Sequence, residues 1–175
     1  MGIYSYTSTG VNVGVHVLRT RHLFAVSALV LSACSAGSPA PSCRLAVQQH
    51  LALQWTEFAA EYEVSSSERI NTLVRKLGAG IGVYVADSDA RNALAFDGKV
   101  VLMRGMLALD DAALLFVIAH ETAHVLQRDP QRQLFIGPEC SIRTVATPAM
   151  QERREATADR RALELLQDSL FQQTT

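Results

Sequence analysis

Four segments after residue 42 space their apolar side chains as amphipathic helices do. They are residues 42–61, a segment that carries Ile70, Leu73, Val74 and Leu77, and about residues 110–127 and 147–170. Ser65, Ser66 and Ser67 can cap the second helix and Gly78 can close it. Asp110 or Asp111 can cap the third, and Pro148 suits the first turn of the last. The pattern therefore predicts four helices with local start and stop signals.

Two short runs between the second and third helices follow the composition of β-strands. The first run is "IGVYVAD" (81–87), which a polar turn follows, and the second is "KVVLMRG" (99–105), which comes after the turn at Asp97-Gly98. Both runs are rich in β-branched or aromatic residues. A loop with Gly137, Pro138 and Cys140 separates the last two helices. Helices combined with a short sheet predict the α+β class.

The N-terminal region has the features of an export signal. Arg19 and Arg21 precede an apolar run over 23–34 that is too short for a permanent membrane-spanning helix. Leu31-Ser32-Ala33-Cys34 resembles a bacterial lipobox, which implies that Cys34 is lipidated and anchors the chain to a membrane. By the same resemblance, Ser35 after the cysteine favours outer-membrane over inner-membrane retention in a host with two membranes, and thus the periplasmic face of the outer membrane. An ordinary signal peptide or an uncleaved anchor is the alternative.

The export signal divides the chain into three parts. Residues 1–33 are predicted to be a leader and lipoprotein signal peptide, 34–42 a lipidated cysteine with a flexible tether, and 43–175 the folded domain. The tether sequence "SAGSPAPS" carries no large apolar side chain. We therefore expect one domain, held at the cell envelope.

Composition narrows the possible partners and raises a question about the cysteines. The 175 residues are 49% hydrophobic with a formal charge of −1, which suits one domain with a core and gives no indication of a nucleic-acid partner. If Cys34 carries lipid, Cys43 and Cys140 remain as a possible disulfide in an oxidising compartment. Two unpaired thiols are the alternative.

The third helix carries an unusual polar group within an apolar stretch, "FVIAHETAHVLQ" (116–127). His120 and His124 lie one helical turn apart, so both imidazoles can reach one metal ion, with Glu121 beside them. A buried helix with hydrogen-bonded histidines is the alternative. The H-E-x-x-H arrangement favours a metal site, because each buried polar side chain needs a partner.

The last helix supplies candidate partners for those histidines. At 100° per residue, Glu155 and Asp159 fall on the apolar side of "QERREATADRRALELL" (151–166), together with Ala158, Ala162 and Leu166. Carboxylates that point inward must be paired, protonated or bound to metal. For Asp159, an ion pair with a neighbouring arginine is the alternative.

These residues match the requirements of a catalytic zinc site with three protein ligands and one open position. His120, His124 and Glu155 are the predicted ligands of one Zn²⁺ per chain. Asp159 can accept a hydrogen bond from the outer nitrogen of a ligand histidine. Glu121 can take a proton from water and pass it to a leaving amine, which describes peptide hydrolysis.

"HETAH" together with "EATAD" resembles the motif pair of the gluzincin peptidases related to HtpX and the CAAX prenyl protease, particularly their small bacterial lipoprotein members. "NALAFDGKVVLMRGML" (92–107) is similar to the segment before the active-site helix in that family. The resemblance implies a zincin-like domain with zinc-dependent endopeptidase activity on polypeptide substrates, such as envelope proteins in quality control. It also suggests that 99–105 is an edge strand that pairs with substrate; an ordinary core strand is the alternative.

Some parts of the chemistry stay open at this level. No tyrosine follows Tyr84 and no histidine follows His124, so the group that stabilises the oxyanion is not identified. Arg143, Arg154 or Arg161 could fill that role, or each could be a surface arginine. A zinc-containing binding or chaperone-like lipoprotein with weak catalysis is the rival interpretation, and a structural lipoprotein without metal is a third. Substrate specificity, oligomeric state and protein partners are not predicted.

Overall fold

The computed structural model describes residues 43–172. The predicted leader, the lipidation at Cys34 and the tether lie outside these residues. In the described part of the chain the elements follow the order α1 (Arg44–Glu61), β1 (Val64–Ser65), α2 (Glu68–Leu77), β2 (Gly82–Ala86), β3 (Ala93–Phe96), β4 (Lys99–Met103), α3 (Asp111–Leu126), α4 (Asp129–Arg132), β5 (Leu134–Ile136), β6 (Ile142–Thr144) and α5 (Pro148–Gln172). Short 3₁₀ turns cover Arg104–Ala108 and Pro138–Cys140. The predicted α+β class is confirmed.

Four strands form the main sheet in the order β1-β2-β4-β3. β2 and β4 are parallel, whereas β1 pairs with β2 and β3 pairs with β4 in the antiparallel sense. β3 and β4 form a hairpin across Asp97 and Gly98, where Gly98 has φ 72 and suits a tight turn. The hairpin makes β3 one edge of this sheet.

The prediction of an edge strand over 99–105 is wrong. β4 lies between β2 and β3 and forms backbone pairs with both, and the chain turns into a 3₁₀ helix at Arg104. β3 takes the edge position instead. This strand has two alanines in four residues and no β-branched side chain, so its composition gave little indication of a strand.

The two faces of the sheet are covered by different helices. On one face Val83, Val85, Val100 and Leu102 pack against α2, α3 and α5. On the other face Ala86, Val101 and Met103 pack against an aromatic cluster that contains Trp55 and Phe58 of α1 and Tyr62, the residue that caps the end of α1. Burial on both faces explains why β4 is apolar at successive positions rather than at alternate ones.

Local signals fix the helix that carries the two histidines. Asp110 caps α3 by accepting a hydrogen bond from the backbone nitrogen of Ala113 at 2.8 Å. Arg69 of α2 donates to the carbonyl oxygens of Leu107 and Leu109, and to Asp111 Oδ1, each at 2.8 Å. These bonds hold the segment that leads into α3 against α2.

A second, two-stranded sheet is formed by the segment that follows α4 and precedes α5 in the chain. β5 and β6 pair in the antiparallel sense, whereas the sequence predicts a loop for this segment. A disulfide joins Cys43, just before α1, to Cys140 in the turn between β5 and β6. It therefore connects the first helix to the hairpin. Between residues 43 and 172, no helix combines the length and the apolar character needed to cross a membrane.

Candidate metal centre

His120 and His124 lie one turn apart on α3, at the side that packs against α5. Their side chains are 4% and 11% exposed, respectively. The two Nε2 atoms are 3.1 Å apart. The helix therefore brings both imidazoles to one point, as their spacing in the sequence predicts.

Glu155 of α5 completes a group of three donor atoms. Its Oε2 lies 3.2 Å from His120 Nε2 and 3.6 Å from His124 Nε2. The three residues could hold one metal ion, since their ligand atoms all lie within 4.8 Å of one another. In a tetrahedral site with bonds of 2.0–2.1 Å, the ligand atoms are about 3.3 Å apart, which agrees with these distances.

The outer nitrogen of each histidine faces a carboxylate. His120 Nδ1 donates to Asp159 Oδ1 at 2.9 Å, and His124 Nδ1 donates to Asp129 Oδ2 at 2.8 Å. An ionised carboxylate only accepts hydrogen bonds, so each Nδ1 carries a proton. These contacts orient both rings with Nε2 toward Glu155.

This orientation places three acceptors close together. In the neutral imidazoles the lone pairs of both Nε2 atoms face each other and the Glu155 carboxylate. Such an arrangement is repulsive unless a cation, either a metal ion or an added proton, lies among them. The donor set and its geometry therefore fit a metal with a preference for imidazole and carboxylate ligands, of which zinc is the leading example.

Asp129 was missed by the sequence analysis. It is 2% exposed and begins α4 immediately before Pro130. Arg128 takes the left-handed conformation with φ 56, which ends α3 and turns the chain back so that Asp129 reaches His124. The signal that could have found it is an acid five residues beyond the second histidine, next to a proline that marks a helix end.

Burial and neighbouring charged groups shift the pKa values of the three predicted ligands. Burial acts to lower the pKa of His124, but its hydrogen bonds with Asp129 and Glu155 outweigh burial and raise the pKa to about 10. For His120, burial again acts to lower the pKa, and Glu155 and Glu121 raise it above its usual value. The hydrogen bonds from both histidines lower the pKa of Glu155 to about 2. The protein groups alone thus favour a positive charge at this position.

Glu121 lies next to His120 on α3. Burial raises the pKa of its carboxyl, although the two histidines act in the opposite direction. A carboxyl with a raised pKa accepts and releases a proton more readily near neutral pH than an ordinary glutamate does. The position and the electrostatics of Glu121 are therefore those of a candidate general base.

The three arginines considered for oxyanion stabilisation have different surroundings. Arg161 forms an ion pair with Glu164 at 2.6 Å, and the Arg143 guanidinium lies 4.4 Å from the centre of the Phe135 ring. Arg154 is partly buried, and its Nη1 makes no hydrogen bond within the described residues. These contacts assign the oxyanion role to none of them.

An α+β fold with an H-E-x-x-H helix and a glutamate from a later helix defines a candidate metal-dependent hydrolase. Residues 65–146 match the model of Peptidase family M48. This match confirms the resemblance seen in the sequence and implies metallopeptidase activity in general terms. It includes His120, Glu121 and His124 but ends before Glu155, so the convergence of Glu155 with the histidines is an independent structural observation. Comparison with curated proteins and with solved structures gives no match.

Proposed function

We propose that the protein is a zinc-dependent endopeptidase that hydrolyses peptide bonds of polypeptide substrates. One observation carries the proposal: the Nε2 atoms of His120 and His124 and the Oε2 atom of Glu155 meet at distances of 3.1–3.6 Å. Carboxylates on both outer nitrogens add the surroundings that metal-binding histidines usually have.

His120, His124 and Glu155 would hold the zinc ion. When bound, zinc supplies Lewis-acid chemistry, which lowers the pKa of water toward about 7 and polarises a carbonyl. Asp129 and Asp159 keep the protons on the outer nitrogens, so the lone pairs of both Nε2 atoms stay available to bind the metal. The two aspartates are therefore positioning residues.

Glu121 would act as the general base. It accepts the proton of the attacking water and delivers it to the amine that leaves, so the proton is transferred rather than lost to solvent. General acid–base catalysis of this kind contributes about 10²- to 10⁴-fold to the rate. Its raised pKa supports both halves of this transfer.

The substrate would bind as an extended chain along β3. This strand pairs with β4 on one side, and its other edge has no strand neighbour among residues 43–172. β3 also packs beside α3, the helix that carries the histidines. Main-chain pairing with a free strand edge requires little sequence specificity, which suits an enzyme that acts on varied or unfolded proteins.

We place this activity at the cell envelope, at the periplasmic face of the outer membrane. The proposal rests on the predicted lipidation of Cys34 and on the eight-residue tether over 35–42. A fully extended tether of that length spans about 26–29 Å, so the domain would stay close to the membrane surface. The substrates we propose are envelope proteins that expose unfolded segments when they are damaged. Their cleavage would give the protein a role in quality control.

The Glu121→Gln variant tests this function. The purified full chain is assayed for zinc content and for cleavage of an unfolded protein, before and after chelation and zinc restoration. We expect Glu121→Gln to lose about 10²- to 10⁴-fold in rate while it keeps its zinc. The matched control is Glu152→Gln, which replaces an exposed acid on α5. This variant should keep both its zinc and its rate of cleavage.

Two other results would point elsewhere. A Glu121→Gln rate equal to that of the unchanged protein contradicts the peptidase proposal. Stoichiometric zinc with no cleavage in either protein favours the zinc-containing binding or chaperone-like lipoprotein instead.

A further inference from the structure

The four-residue helix α4 contacts two functional parts of the molecule. Its first residue, Asp129, accepts the hydrogen bond from His124 Nδ1. Two residues later, Gln131 Nε2 donates to Asp97 Oδ1 in the turn between β3 and β4. One short segment therefore connects a predicted metal ligand with the tip of the hairpin that forms the sheet edge.

We propose that Gln131 is a positioning residue that holds the β3–β4 hairpin in place, and that α4 thereby couples metal loading to the order of the edge strand. A metal ion on His124 would fix the ring, the Asp129 carboxylate and α4 in turn. Through Gln131 the same restraint reaches Asp97. The significance for substrate binding rests on the proposed peptidase function, whereas the coupling itself does not.

The Gln131–Asp97 bond is suited to this role by its chemistry. The acceptor is a carboxylate, and hydrogen bonds to an ionised acceptor are stronger than those between neutral groups. Asp97 is exposed at the tip of the turn, while Gln131 is partly buried. The Oε1 atom of Gln131 is buried without a hydrogen-bond partner among the described residues. The side chain thus presents its amide nitrogen to Asp97 at the expense of its own oxygen.

The hairpin needs such a restraint more at its turn than along its strands. Along β3 the chain is held by backbone pairs with β4, from Ala93 opposite Leu102 to Phe96 opposite Lys99. Phe96 also packs on Trp55 and Phe58, with ring centres 5.5 and 5.1 Å apart, respectively. The turn extends beyond these contacts. A loose turn would therefore weaken the main-chain pairing of an extended substrate along β3.

A purely structural surface contact is the opposing interpretation, and hydrogen exchange separates the two. Amide exchange is measured on the full chain for the segment 93–98, with and without added Zn²⁺. In the unchanged protein, zinc should slow exchange in this segment. In Gln131→Ala and Asp97→Ala, exchange should be faster by roughly 5- to 10-fold with zinc present, since about one solvent-exposed hydrogen bond is lost.

Three further variants sharpen the comparison. Asp97→Asn keeps an acceptor oxygen but loses the charge, so its exchange rate should lie between those of the unchanged protein and Asp97→Ala. Arg132→Ala removes an exposed side chain from the same helix and serves as the matched control. The double variant Gln131→Ala/Asp97→Ala should exchange no faster than either single variant, because both changes remove the same bond.

The proposal is overturned if zinc does not slow exchange in segment 93–98 of the unchanged protein, or slows it equally in Gln131→Ala. It is also overturned if exchange rises throughout the chain, because that result indicates general destabilisation. None of these measurements needs turnover, so an inactive protein would contradict the proposed function while leaving the coupling testable. Where cleavage is observed, Gln131→Ala should raise KM for a long peptide more than for a short one and leave kcat within about twofold.

Discussion

His124 Nδ1 lies 2.8 Å from Asp129 Oδ2, and Asp129 is 2% exposed. The matching contact, between His120 Nδ1 and Asp159 Oδ1, measures 2.9 Å, but the Asp159 side chain is 47% exposed. The two histidines thus have equivalent hydrogen bonds in different environments. Water can replace Asp159 far more easily than it can replace Asp129.

This difference predicts unequal effects of removing the two carboxylates. Asp129→Ala should lower the free energy of unfolding by about 1–3 kcal/mol, because it leaves the buried Nδ1–H of His124 without an acceptor. Asp159→Ala should lower the free energy of unfolding by a smaller amount, because water can replace Asp159 more easily. Both variants should bind zinc about 10- to 100-fold more weakly. Chemical denaturation and zinc titration measure the two effects, and equal losses of stability would contradict this account.

Zinc affinity should rise with pH between about 6 and 8. The pKa of His124 is raised to about 10 and that of His120 is also raised, so without metal these rings hold protons that zinc must displace. Glu155, with a pKa of about 2, is already ionised throughout this range and adds no pH dependence. Each displaced proton should change the affinity about tenfold per pH unit.

A chelator-competition titration at pH 6, 7 and 8 measures this dependence, and calorimetry in buffers of different ionisation enthalpy counts the released protons. We expect between one and two protons for each zinc bound. An affinity that stays constant across these pH values would show that the histidines are not the ligands.

The disulfide should contribute to stability rather than to metal binding. Cys43 and Cys140 are separated by 97 residues, and closing a loop of that size typically stabilises a domain by about 2–5 kcal/mol. The Cys43→Ser/Cys140→Ser variant should lose stability by that amount. Zinc affinity should stay within about twofold, because the two cysteines lie on segments that supply no predicted ligand. A large loss of zinc affinity at unchanged stability would contradict this separation of roles.

Arg128 should tolerate glycine better than a β-branched residue. Its φ of 56 lies in the left-handed region, which costs most residues about 1–2 kcal/mol and glycine almost nothing. Arg128→Gly should therefore keep the stability of the unchanged protein or raise it by up to about 1 kcal/mol, while Arg128→Val should lower it. Thermal denaturation of both variants tests this, and a strongly destabilised Arg128→Gly would be the contrary result.

Much of the helical structure was predictable because its signals are local. Asp110 caps α3, Gly78 ends α2 with φ 62, and Pro148 opens α5. The inward position of Glu155 and Asp159 likewise follows from helical periodicity within one segment. Their approach to His120 needed only one further condition, namely that α5 packs against α3.

The features that were missed depend on contacts between distant parts of the chain. Strand β4 becomes central because β2 pairs with it in parallel across an intervening segment, and this pairing leaves β3 at the edge. Asp129 reaches His124 through the left-handed turn at Arg128, which hydrophobic periodicity does not reveal. Sequence patterns thus indicate the individual helices and strands, whereas tertiary packing decides which of them become neighbours.

The most direct test of the central claim is a measurement of zinc stoichiometry and ligand environment in the purified chain by metal analysis and X-ray absorption. The account predicts one zinc per chain, with two imidazole nitrogens and a carboxylate oxygen at about 2.0–2.2 Å. It also predicts a loss of zinc in Glu155→Ala, with Glu152→Ala unaffected. Absence of stoichiometric zinc, or equal zinc affinity in Glu155→Ala and the unchanged protein, would contradict it.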